Sequence, residues 1–280
     1  VGEKDGYFNM IFQFEHLNLW NKGADDGIDV QELMKILSRW QTYLEDDGWN
    51  ALFIENHDLT RSVSALGNDK AYWKESAKML ATLYFFMKGT PFIYQGQEIG
   101  MTNAGFENIE DYNDVGTLKL YEIERANGVP HEELMEKIKK TCRDNSRTPM
   151  QWDDKPLAGF TKGERTWLRV NENYKQINVA KQSEEEDSIL SYYKKMIRLR
   201  KEEELFVYGK YTYLQPGHPA IASYKREWEG KTAIILCNFG EEEVRHDLEV
   251  KSEDLVLHNY ADIEEEQLLR QYEARVYVMK

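Results

Sequence analysis

The feature that most constrains this chain is the alternation of short apolar runs with amphipathic stretches through its first third. Phe8-Asn9-Met10-Ile11-Phe12-Gln13-Phe14 reads as a short buried strand bounded by Gly6 and polar residues. Between Val30 and Leu44, Leu33, Ile36, Leu37, Trp40 and Leu44 recur at helical spacing. Ala51-Leu52-Phe53-Ile54-Glu55 reads as a second strand that ends at Asn56-His57-Asp58. Tyr72 to Lys88 predicts a long helix, stopped by Gly89-Thr90-Pro91, and Phe92-Ile93-Tyr94-Gln95-Gly96 predicts a third strand. Strand, helix, strand, helix, strand with apolar strands implies parallel βα units.

Residues 103–140 are acidic and helical, broken at Gly128-Val129-Pro130, and read as a long insertion after the third strand. Ser188 to Glu204 is a further amphipathic helix. From Leu205 the texture changes to short alternating runs at 211–214, 221–224, 233–238, 255–257 and 274–278. These predict an antiparallel β-sandwich of its own, so the chain divides into 1–204 and 205–280.

Composition narrows the ligand classes. With 50 acidic against 36 basic residues, the formal charge of -14 repels both nucleic acid and an anionic membrane. Neutral ligands such as sugars remain open. No apolar run approaches the roughly 20 residues of a membrane span. Cys142 and Cys237 have no metal-ligand spacing around them, which argues against a disulfide framework or a zinc site and suits a reducing, cytoplasmic setting. Asp25-Asp26-Gly27-Ile28-Asp29 has the look of part of a calcium loop but lacks the later ligands, and turn chemistry explains it better. Neither a metal nor a cofactor is expected.

Three segments carry chemistry. Glu55-Asn56-His57-Asp58 closes an apolar strand, the end that faces the active site in a β/α barrel. His57 and Asp58 could bind vicinal hydroxyls, and an ionised Asp58 could stabilise positive charge on a sugar ring. On spacing alone the plainer reading is favoured: an Asx turn, with Asp58 as N-cap of the next helix. In Gly89–Asn103 a strand leaves into a Gly-rich loop, where Glu98 reads as a carboxylate bonded to loop amides rather than as a catalytic group. In Arg143–Trp152, Arg147 beside Pro and Trp suits a fork that orients a carboxylate or hydroxyls. A surface salt bridge explains Arg147 equally well.

In this order, ENHD, GTPFIYQGQEIGMTN and RDNSRTPMQWDD closely resemble glycoside hydrolase family 13, the α-amylase family. Within it they are similar to the oligo-1,6-glucosidase and dextran glucosidase branch, which also holds trehalose-6-phosphate hydrolases and sucrose isomerases. FNMIFQFEH resembles the branch's strand before ENHD, so the resemblance runs from Phe8 to the C-terminus.

The resemblance implies a fold that is α/β plus all-β: the last strands and helices of a (β/α)8 TIM barrel over 1–204, then a β-sandwich, domain C, over 205–280. It implies cleavage of α-1,6 or α-1,4 glucosidic bonds of short oligosaccharides with retention. Asp58 matches the carboxylate that stabilises the transition state, and His57 the histidine on the nonreducing glucose. Arg147 matches the arginine of that subsite, and Phe14, with Phe12 two residues away on the same strand face, the aromatic lining of the pocket.

The nucleophile motif, of Gly-Phe-Arg-x-Asp type, occurs nowhere in the 280 residues. Val1-Gly2-Glu3 spells the triplet that carries the family's acid, but too few residues separate Glu3 from Phe8 for the intervening helix. The chain therefore reads as a C-terminal half without nucleophile or general acid, cut from a longer enzyme and inactive alone. Its exposed barrel edge is expected to pair with a missing N-terminal half or to self-associate. Rival readings are a trehalose-6-phosphate hydrolase or sucrose isomerase fragment and, in another class, a noncatalytic carbohydrate-binding module.

Overall fold

The computed structural model of the chain describes residues 1–2, 5–19 and 28–280. Glu3 and Asp25-Asp26-Gly27, singled out above, lie outside the described residues.

Helix α1, Val30–Tyr43, starts where the Asp29 side chain accepts from the Glu32 amide at 2.9 Å, and it buries Leu33, Met34, Ile36 and Leu37 along one stripe. It leads to β1 (Ala51–Leu52), the short α2 (Ser62–Leu66), α3 (Trp73–Phe85) and β2 (Thr90–Pro91). Strands β1 and β2 pair in parallel, and Ile11 bridges in parallel to Asn50 on the other side of β1. Three neighbouring parallel positions with helices between them are the βα units expected.

Two expectations need correction. The segment 8–14 is not a buried strand: Ile11 alone joins the ladder, and Phe8, Phe12 and Phe14 are 72%, 42% and 57% exposed. Among the described residues its only sheet neighbour is β1, so one ladder position is all the pairing it gets. The third strand lies at Thr90–Pro91, ahead of Phe92–Gly96. Past Phe92 the chain tightens into a 3₁₀ turn, Gln97–Ile99, held between Gly96 (φ 88°) and Gly100 (φ 66°), where a side chain would be strained.

The insertion forms α4 (Val115–Ala126) and α5 (His131–Thr141), broken at Gly128 as the sequence suggests. Phe106, Tyr112, Met135, Ile138 and Cys142 give it a small core of its own. One turn, α6 (Asp144–Arg147), follows, then α7 (Val179–Glu184), α8 (Ile189–Glu202) with Ser188 capping it at 3.1 Å, and α9 (Leu205–Tyr208).

The remaining strands are β3 (Lys210–Leu214), β4 (Ile221–Trp228), β5 (Lys231–Asn238), β6 (Val244–Arg245), β7 (Leu255–His258), β8 (Leu268–Leu269) and β9 (Ala274–Met279). Five of them form an antiparallel sheet in the order β3-β4-β5-β9-β7, and β6 pairs with β8 in a ribbon. Alternation assigns the faces. Ala233, Ile235 and Cys237 of β5 join the large core with α3 and α8, whereas Ile234 and Leu236 join Leu269 and Val244 of the ribbon. Among the described residues the ribbon, with Leu248 and Val250, packs on one face of the sheet, and α3 and α8 pack on the other.

Helix α3 is consequently buried on every side from Ser76 to Phe85. Two arginines satisfy the carbonyls at and beyond its C-terminus, where a helix leaves acceptors unpaired. Arg200 of α8 donates to Phe85, Met87 and Gly89 carbonyls at 2.7, 3.0 and 2.6 Å. Arg226 of β4 donates to the carbonyls of Phe86 and, at 3.1 Å, Phe206. Among the described residues no carboxylate bonds either arginine, and burial lowers the pKa of both guanidiniums to about 10.

Candidate active site

The segment after β1 turns sharply because the Asn56 side chain accepts from the Asp58 amide at 2.8 Å. The Asx turn is therefore made by Asn56. The N-terminus of α2 is served by Glu55 instead, whose Oε2 accepts from the Ser62 amide at 2.8 Å and its hydroxyl at 2.7 Å. Asp58, expected on spacing to cap that helix, is left to face outward.

Beneath this turn lies a buried ion pair. Arg61 Nη1 donates to Glu55 Oε1 and to the Gln95 carbonyl, both at 2.7 Å, and its amide donates to Asn103 at 2.9 Å. Arg61 also lies over the Tyr94 ring, whose hydroxyl donates to the Ser146 carbonyl at 3.1 Å. One arginine thus ties the segment after β1, the loop after β2 and the start of α6 together. Glu98 accepts from the Gly96 amide at 2.8 Å, the bond to a loop amide that the sequence suggested, and burial raises its carboxyl.

On that base three of the sequence candidates meet. Asp58 Oδ1 accepts from Arg147 Nη2 at 2.9 Å and from Arg143 Nη1 at 3.0 Å, and Oδ2 lies 3.4 Å from His57 Nε2. Arg147 Nε also donates to the His57 carbonyl at 2.8 Å. Arg147 thus bonds a carboxylate and the backbone of the turn at once, and 20% of its side chain is exposed. Asp58 and His57 remain open to solvent at 54% and 68%.

The two phenylalanines complete the wall. A hollow of about 310 Å³ is lined by Phe12, Phe14, Phe53, His57, Asp58 and Phe92, among others. Phe12 meets Phe92 at 4.7 Å and Phe53 at 5.6 Å, and Phe14 meets Phe53 at 5.7 Å between centroids. All five sequence candidates thus lie in or against one depression with an apolar side and a charged side, the form of a small-molecule site.

Sequence reasoning left Arg143, Asp114 and the Glu55–Arg61 pair without a role. Arg143 and Arg147 stand four apart, which on a helical turn puts both on one face, and that signal was available. Nothing in the acidic stretch around Asp114 marks it as a partner of Arg143. Among the described residues no group of three or more His, Cys, Asp and Glu side chains could hold a metal ion.

Comparison with known proteins adds the family. The alpha amylase catalytic domain profile matches residues 2–209. The chain belongs to the α-amylase family. This α-amylase-family chain is 48% identical to a probable oligo-1,6-glucosidase 3 of Bacillus subtilis, over 99% of its own length and 51% of the relative's. It is 47% identical to an oligo-1,6-glucosidase of Halalkalibacterium halodurans, over 100% of its own length and 52% of the relative's. Among solved structures, trehalose-6-phosphate hydrolase of Bacillus licheniformis superposes with a TM-score of 0.91 at 38% identity, covering 97% of this chain and 51% of that one. The chain spans about half the length of the curated relatives it matches. No helix among the described residues is long and apolar enough to cross a membrane.

Proposed function

We propose that these residues form part of a retaining α-glucosidase that hydrolyses α-1,6, or α-1,4, glucosidic bonds of short oligosaccharides. The observation that carries the reading is the Asp58 carboxylate, held by Arg147 beside His57 at the mouth of an aromatic hollow. Asp58 stabilises positive charge developing on the sugar ring. His57 and Arg147 bind hydroxyls of the nonreducing glucose, and Phe12 and Phe14 pack against its apolar face.

The nucleophile and general acid are supplied from outside these residues, and the chain alone is inactive. Retaining hydrolysis needs two carboxyls about 5–5.5 Å apart, both free to react. The carboxylates near Asp58 are committed elsewhere: Glu55 to Arg61, Asp114 to Arg143 and Glu98 to the Gly96 amide. Glu15 is paired with Arg39. By the same reasoning the open edge beside β2 pairs with the remaining part of a longer barrel, whose strands continue from 1–204, with 205–280 as the β-domain.

The test is isomaltose binding followed by nuclear magnetic resonance, with p-nitrophenyl α-glucoside hydrolysis measured alongside. The expected result is weak binding that Asp58→Asn diminishes, without turnover. Hydrolysis by the chain alone overturns the division of catalytic groups, and binding indifferent to Asp58→Asn overturns the site.

A further inference from the structure

The inserted helices reach back to this site through one side chain. Asp114 stands immediately before α4, and its Oδ2 accepts from the Thr117 amide and hydroxyl, both at 2.9 Å. Its other oxygen, Oδ1, receives Arg143 Nε at 2.5 Å and lies 3.8 Å from Arg147 Nη1. The residue is 7% exposed. Capping alone does not call for a buried charge here, since Asn or Ser caps a helix as well as Asp.

The backbone at this point is pinned from α6. Asp144 Oδ2 accepts from the amides of Asn113 and Asp114 at 2.7 and 2.8 Å. Asp144 therefore fixes Asp114, Asp114 holds Arg143, and Arg143 Nη1 donates to Asp58 at 3.0 Å.

We infer that Asp114 is a positioning residue for the Asp58 site: by orienting Arg143 it fixes the Asp58 carboxylate for sugar binding. This rests on the sugar-site reading above. Arg143 is 40% exposed, and a long side chain that open would otherwise sample several rotamers. A charge-assisted bond to a nearly buried carboxylate selects one of them before the ligand arrives. Burial pushes the Asp114 carboxyl up, but the Thr117 amide and Arg143 outweigh it and hold the group below the ordinary range, so it keeps its charge.

Asp114→Asn separates capping from positioning, because asparagine caps but carries no charge. Asp114→Ser serves as a second capping variant with a shorter side chain. Three quantities are read on the full chain: the thermal transition, solvent exchange of the Arg143 Nε–H in nitrogen-15 arginine spectra (assigned with Arg143→Lys), and isomaltose affinity. The expected result is a nearly unchanged transition, loss of Arg143 Nε–H protection, and about tenfold weaker isomaltose binding, the size of one lost charge-assisted bond. Asp114→Glu restores part of both losses. Protection or affinity that persists in a folded Asp114→Asn or Asp114→Ser chain overturns the inference. If the unaltered chain does not bind isomaltose, the sugar reading fails, and the Arg143 signal alone decides whether Asp114 positions that arginine.

Discussion

Arg147 Nη2 lies 2.9 Å from Asp58 Oδ1, across 89 residues of sequence, while Nε of the same guanidinium donates to the His57 carbonyl at 2.8 Å. One planar fork thereby fixes both the carboxylate and the backbone of the turn that presents it. Lysine offers one ammonium and no fork, so it can satisfy one of these acceptors at a time. Arg147→Lys is predicted to weaken isomaltose binding about tenfold, and to change the unfolding free energy by less than about 1 kcal/mol. Calorimetric titration and urea unfolding read the two effects; equal affinity would show that the fork does not order the site.

The Glu55–Arg61 pair carries a larger stability effect. Both side chains are essentially excluded from water, at 1% and 0%. Arg61→Met leaves a buried carboxylate facing an apolar group and is predicted to cost about 3–5 kcal/mol. Adding Glu55→Gln to it recovers part of the loss. A single substitution costing under about 1 kcal/mol in urea unfolding contradicts the assignment.

His16 makes stability depend on pH. Burial lowers it from 6.5 to about 4, partly opposed by a backbone bond at Phe53. The folded ring stays neutral where the unfolded ring takes up a proton, so the unfolded state binds more protons between those values. Its contribution is complete above about pH 6.5 and is lost as pH falls to about 4, amounting to about 3 kcal/mol. His218, His246 and His258, lowered by burial as well, act in the same direction. His16→Gln is predicted to flatten the slope of urea stability between pH 7 and 4.5. An unaltered slope assigns the dependence to other groups.

Both thiols are buried, and burial raises Cys142 to about 11 and Cys237 further still. The thiolate is the reactive form. Neither cysteine is predicted to react with a disulfide reagent at pH 8 until the chain is unfolded in urea. Prompt labelling of the native chain would mean that one of them is accessible.

Spacing alone marked Glu55-Asn56-His57-Asp58 as the polar end of the β1 run and left Arg147 open between a fork and a surface ion pair; the five candidates were picked out by the ordered motifs and their family resemblance. What was not legible depends on distant partners. Asp58 reads as a helix cap until Glu55 is seen to occupy that place. Asp114 is one acid in an acidic stretch until α6 turns Arg143 toward it. Phe8–Phe14 has the composition of a buried strand, but burial is decided by what covers it, and among the described residues Ile11 alone joins the ladder while Phe8, Phe12 and Phe14 stay exposed. The antiparallel strands after Leu205 were readable from alternation. Their shared core with α3 was not, because Ser76, Lys78 and Thr82 make that helix read as amphipathic although all three are buried.

The most direct test joins this chain to the part of the Bacillus subtilis relative that it does not span, and measures p-nitrophenyl α-glucoside hydrolysis. The account predicts turnover by the joined protein, none by the 280 residues alone, and loss of turnover by about a hundred- to a thousandfold with Asp58→Asn, on the scale of removing a charge-stabilising group. Turnover of the joined protein that survives Asp58→Asn would contradict it.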